Sequence, residues 1–158
     1  MEQRVAIPGS VAFHTSGGSW LPVNADQTIS PTLVIRRPKR AGDVSEELLS
    51  GSFRGMSRDE AGAFLRVDSA DLALVHAFVQ GYGLTVIAEN AEARTVQVEG
   101  SVTQVGQAFG VEVEWRIDDK GRHYLSYQGE LTVPADLAGI VVAVLGLDQR
   151  PVARSVGR

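Results

Sequence analysis

The stretch Thr95–Arg116, TVQVEGSVTQVGQAFGVEVEWR, spells three elements in succession. Thr95–Glu99 alternates polar and apolar residues, the period of a half-buried strand. Ser101-Val-Thr-Gln104 is a capping box, in which a serine hydroxyl and a glutamine amide satisfy backbone N–H groups at a helix start. The helix it opens carries Val102, Val105 and Phe109 on one face and ends at Gly110, which can take the left-handed conformation that closes helices. Val111–Ile117 alternates again, with Val111, Val113, Trp115 and Ile117 on one side and Glu112, Glu114 and Arg116 on the other.

Outward from this core the remaining elements fall into place. Leu84–Glu89, linked by Asn90–Arg94 to Thr95–Glu99, forms a hairpin, and Asp118-Asp-Lys-Gly121 returns Val111–Ile117 into His123–Tyr127 as a second one. Upstream, Thr32–Arg36 is a strand, Ser57-Arg-Asp-Glu60 caps a helix carrying Ala61, Phe64 and Leu65, and Asp68–Gln80 is a helix with Leu72, Val75 and Val79 on its inner face, widened by Leu74 and Phe78, and Gly81 as its closing residue. Downstream, Pro134–Gly139 is a short helix and Ile140–Leu147 a final buried strand. This order predicts an α+β chain, a ferredoxin-like α/β sandwich whose antiparallel sheet has helices on one face and an extra hairpin. Thr95, Gln97, Glu99, Glu112, Glu114 and Arg116 are then expected on one uncovered, acid-rich outer face, with Glu99, Glu112, Glu114 and Arg116 as candidates for meeting a partner.

Prolines mark the boundaries: none falls between Lys39 and Val133. Residues 1–31 mix Gly, Ser and Pro without periodicity and read as an extended arm, with Trp20 and Leu21 favouring docking on a body at 32–149. Residues 39–56 form an irregular link. Residues 150–158 lose apolar periodicity and carry Arg150, Arg154 and Arg158, as an accessible linker does.

The chain's 158 residues are 44% apolar and 22% charged, which describes an ordinary globular domain with room for one core. No cysteine is present, so disulfides and thiolate chemistry are excluded. A net charge of −4 argues against a generic nucleic-acid binder, and no window suits a signal peptide or a membrane span. Catalytic and metal-binding residues are expected to be absent. The three histidines, His14, His76 and His123, lie on an arm, a helix and a strand, and no nucleophile elbow accompanies them. His76 reads as a helix-border side chain with a hydrogen-bonded edge. Asp118-Asp119 suits turn chemistry, and Glu46-Glu47 a solvated link. Arg36-Arg37-Pro-Lys39-Arg40 is the one dense basic cluster, placed to pair with acidic groups of a partner or of this domain.

These motifs, taken in order, resemble the N-terminal activation domain, or propeptide, of the sedolisin (kumamolisin-like) serine-carboxyl peptidases. The resemblance rests on VAIPGS at Val5–Ser10, TLVIRRP at Thr32–Pro38, Ser57–Val86, Val98–Arg116, the Tyr124 region and VPADLAGIVVAVLGLDQRP at Val133–Pro151. Arg66-Val67 departs from the aromatic-glycine pair usual before the second helix. Membership implies a secreted precursor in which this domain assists folding of a downstream peptidase, blocks its cleft, and leaves in acid. The catalytic triad and the calcium site would belong to that absent domain, so this chain would hydrolyse nothing and bind no cofactor. Its partner would be the cognate peptidase domain, with the isolated chain a monomer. The linker residues Arg150, Pro151, Val152, Ala153 and Arg154 would lie in or near the cleft. The alternative reading is a free-standing ferredoxin-like regulatory or ligand-binding domain.

Overall fold

Residues 3–14, 16–38 and 66–150 are described by a computed structural model. The expected link at 39–56, the capping box at Ser57–Glu60 with its helix, Lys39, Arg40, Glu46, Glu47 and the linker residues Pro151, Val152, Ala153 and Arg154 lie outside the described residues.

In chain order the elements are β1 (Arg4–Ala6), β2 (Ser19–Leu21), β3 (Thr28–Ile29), β4 (Thr32–Ile35), α1 (Ser69–Gly81), β5 (Thr85–Asn90), β6 (Thr95–Ser101), α2 (Val102–Phe109), β7 (Val113–Ile117), β8 (His123–Tyr127), β9 (Thr132–Pro134), a 3₁₀ turn (Ala135–Leu137) and β10 (Val141–Leu145). The α+β class predicted from the element order is what the chain adopts.

The main sheet is organised around β6. β5 pairs along one edge of β6, β4 pairs along the other with β3 extending the same edge, and β10 pairs outside β4, all antiparallel. The order β10, β4, β6, β5, with α1 between β4 and β5 and α2 after β6, is that of a split β-α-β unit. Leu33, Val96 and Val98 stand on the inner face and are fully buried with Val75, Val79, Val105 and Phe109 of the helices. Phe78 of α1 meets Phe109 of α2 edge to face at 5.6 Å, which fixes the two helices against each other.

The capping box at the start of α2 is complete. Gln104 N donates to Ser101 Oγ at 3.1 Å and Ser101 N donates to Gln104 Oε1 at 3.0 Å, while Gly110 closes the helix at φ 71°. The end of α1 corrects the expectation for Gly81. Gly81 is the last helical residue, Tyr82 caps it, and Gly83 takes the left-handed conformation at φ 74°. The amide of Leu84, bonded to Val79 O, carries the chain past Gly81 before it turns.

β7 and β8 do not join the main sheet, whose outer strands β5 and β10 pair with no other described strand. They form a second antiparallel sheet in which β2, from the N-terminal arm, is the third strand. The arm is held further by β1 pairing with β9. Arg4 is its anchor, donating from Nε to Thr132 Oγ1 at 3.0 Å, from Nη1 to Tyr82 Oη at 2.9 Å and from Nη2 to Thr132 O at 2.9 Å. The last strand is also corrected. β10 is not enclosed: Val142 is 42% and Leu145 56% exposed, because β10 lies at the rim of a sheet with only one covered face.

The β7–β8 turn uses Asp118 as the turn reading requires. Its carboxylate accepts from Lys120 N at 2.9 Å, Arg122 N at 2.8 Å and Arg122 Nε at 2.6 Å. Burial pushes the Asp118 pKa up, but the amide and guanidinium of Arg122 and the amide of Lys120 outweigh it and hold the group below the ordinary value of 3.8.

Two outcomes follow. Phe109→Ala leaves a cavity between both helices and the sheet and costs about 3–5 kcal/mol in urea unfolding, against about 1 kcal/mol for Ser101→Ala, which removes only the cap. Asp118 has a depressed folded pKa, so its contribution is present above the unfolded value and lost as pH falls through the folded one. Asp118→Asn is therefore expected to be less stable than the parent at pH 7, with a gap that closes below about pH 4; a gap independent of pH contradicts this origin.

Candidate interaction surface

The second sheet carries the buried polar groups nearest to a catalytic pattern. Ser126, fully buried on β8, donates to Asp148 Oδ1 at 3.0 Å, and His14 Nε2 lies 3.4 Å from Ser126 Oγ and 3.0 Å from Tyr127 O. A serine nucleophile needs the histidine to take its proton and the carboxylate to orient the histidine. Here the carboxylate takes the serine's proton-side bond itself, and Ser126 is closed to any substrate. The arrangement is a fastening: His14, edge-on to Trp20 at 4.8 Å, ties the arm to β8. The burial of Tyr127, with the charge of Asp148 nearby, raises the Tyr127 pKa, and its hydroxyl donates to Ser10 O.

His76 has the hydrogen-bonded edge read from its helix position, with Nε2 3.1 Å from Glu89 Oε2. Arg36 pairs within the domain, through two bonds of 2.8 and 3.0 Å to Asp71 that fasten the end of β4 to α1 and raise the arginine's pKa. Among the described residues no group of three or more His, Cys, Asp or Glu side chains could hold a metal ion, and no helix is long and apolar enough to cross a membrane.

What the fold leaves open is a surface. Opposite the helices, the main sheet presents two cross-strand rows, Leu145–Thr32–Gln97–Ala88 and Ala143–Val34–Thr95–Asn90, with the Glu99–Thr85 pair beyond them. No described element covers this face. Its side chains are short or amide-bearing, which makes it flat, and it carries one acid rather than an acidic excess. Thr95, Gln97 and Glu99 are outward here, as their alternation with the buried Val96 and Val98 predicts.

The four candidate partner residues do not share that face. Glu99 stands at its end and is exposed. Glu112 is exposed just before β7 and Glu114 half-buried on it, both lining a groove of about 570 Å³ between α2, the arm and β7, floored by Val102, Gly106 and Val113. Arg116 is a correction: it is 5% exposed, donates from Nη2 to Gly17 O at 2.6 Å and lies 5.1 Å over the ring of Trp20. The arm covers it, and a cation stacked and bonded there is part of the arm's attachment. Of the linker candidates, Arg150 is described; its guanidinium donates to Phe13 O. The row residues Thr32, Val34, Ala88 and Ala143 were not among the candidates, although the alternation within TLVIR already places Thr32 and Val34 opposite the buried Leu33 and Ile35.

The chain is 37% identical over 140 residues to kumamolisin from Bacillus sp. (strain MN-32), a match covering 84% of this chain and 25% of kumamolisin. It is 29% identical over 101 residues to tripeptidyl-peptidase sed5 from Aspergillus fumigatus, covering 55% of this chain and 17% of that protein. The chain thus spans about a quarter or less of the length of these relatives. The pro-kumamolisin activation domain matches residues 22–150, from just after β2 to Arg150, and the chain belongs to that family.

Proposed function

We propose that this chain is the inhibitory and fold-assisting segment of a secreted serine-carboxyl peptidase precursor, docking on its cognate peptidase domain and occluding the cleft until acid releases it. The observation that carries this reading is the uncovered face of the main sheet. A five-stranded sheet with one face buried and the other flat and nearly uncharged is suited to lie against a protein surface. Membership of the pro-kumamolisin activation domain family supports the same role. Catalytic residues and calcium belong, on this reading, to the peptidase domain. The linker beginning at Arg150 and continuing through Pro151, Val152, Ala153 and Arg154 runs toward its cleft, and the isolated chain is a monomer.

Glu99, Glu112 and Glu114 supply the acid response. A carboxylate that pairs with a partner's cation has a lower pKa in the complex than when free, so the pair holds above the free value and is lost as pH falls through the bound one. Each such pair contributes about 1–3 kcal/mol, and every 1.4 kcal/mol is about tenfold in affinity.

Titrating the mature peptidase domain of the same precursor with this chain is expected to give stoichiometric inhibition at neutral pH. Gln97→Arg, in the middle of the open face, weakens it at least tenfold while leaving the circular dichroism spectrum unchanged. Absence of inhibition by the unaltered chain overturns the reading. Joint replacement of Glu99, Glu112 and Glu114 by glutamine is expected to reduce the loss of inhibition between neutral and strongly acidic pH from about a hundredfold or more to less than about tenfold; an unaltered pH profile removes these residues from the release mechanism.

A further inference from the structure

β10 is an outer strand whose second edge meets no other described strand. It is bonded to β4 from Val141–Ile35 to Leu145–Thr32. Unpaired strand edges recruit other strands, and proteins normally protect them with charge, proline or distortion. The strand VVAVL has neither charge nor proline, and its one irregularity is the bulge between Val141 and Ala143. Exposed apolar side chains gather around it. Val11 (42%), Phe13 (72%), Val142 (42%) and Leu145 (56%) are four of the seven exposed large hydrophobics among the described residues. Val11, Val142 and Leu145 line a single groove of about 220 Å³ between the arm and the strand. Single exposed apolar residues are ordinary, but a cluster beside a free edge is not.

Two observations indicate the occupant. Ala143 and Leu145 also belong to the rows of the open sheet face, so the edge and that face form one continuous surface. The described chain also leaves the body here: Asp148 lines the groove and Arg150 is bonded to Phe13 O. Polypeptide continuing beyond this point starts beside the patch, and such tethering raises the effective concentration of any segment that fits it. The matched region of kumamolisin is only 25% of that protein, which shows how much chain a relative places outside this domain.

We propose that the free edge of β10, flanked by Val11, Phe13, Val142 and Leu145, is a strand-addition site for an extended apolar segment of the cognate peptidase domain. Main-chain hydrogen bonds along β10 give the affinity, and the apolar flanks select and register the added strand. The site rests on the activation-domain reading above and extends the open face to its rim.

The test compares Val142→Lys and Leu145→Lys with Leu74→Lys, an exposed apolar residue of α1 on the helical side, as inhibitors of the precursor's own mature peptidase domain. Both β10 variants are expected to inhibit at least tenfold more weakly and Leu74→Lys as well as the parent, all three with parental circular dichroism and thermal melts. Hydrogen exchange of β10 amides is expected to be fast in the isolated chain and at least tenfold slower in the complex. If the unaltered chain does not bind, the activation-domain reading itself falls. If it binds but the β10 variants bind equally well, or β10 exchange does not slow, the edge assignment alone falls. Slow β10 exchange in the isolated chain also overturns it, because the edge is then occupied by residues 39–65 or 151–158 or by a second copy.

Discussion

One constraint governs the structure: β6 has two edges and one inner face, and all three are used within the main sheet. β4 and β5 take the edges, and the helices take the inner face through Val96 and Val98. The two described helices, of thirteen and eight residues, cover one side of the sheet. No described element covers the other face, with Gln97 and Thr95 at its centre. The β7–β8 hairpin lies outside this sheet, and the arm provides its third strand.

The arm is therefore structural as well as peripheral. Strands of two or three residues are too short to hold on their own, and side chains reinforce them. Arg4 bridges β9 and both helices, Arg116 stacks on Trp20, and His14 reaches the β8 backbone. The same region receives the root of the C-terminal segment, where Gln149 N donates to Leu125 O at 2.8 Å and Asp148 holds Ser126. Both ends of the described chain thus meet on β8, next to the exposed edge of β10.

Local rules made much of this legible. The capping box at Ser101–Gln104, the turn at Asp118 and the outward setting of Thr95, Gln97 and Glu99 depend on neighbours a few residues away, and alternation or side-chain chemistry reveals them. What depends on distant partners was hidden. Arg116 alternates with Trp115 like any outward residue, and the arm buries it through Gly17, 99 positions earlier, and Trp20. The three residues of β2 are too few to show a period. Two glycines flank Tyr82, and the choice of Gly83 over Gly81 rests on the Leu84 amide reaching Val79. An all-apolar run such as VVAVL reads the same in a central strand as at an edge, so the exposure of Val142 and Leu145 became visible only with the strand order.

The central claim is that the open face of the main sheet, not the helical side, meets the peptidase domain. Because the chain has no cysteine, Thr95→Cys on the open face and Ala77→Cys on the exposed side of α1 each create a unique thiol. Labelling by a water-soluble thiol reagent, with and without the mature peptidase domain, reports which side is covered. The account predicts that the thiol at position 95 is protected in the complex and that at position 77 is not; the opposite pattern, with position 77 shielded and position 95 still reactive, contradicts it.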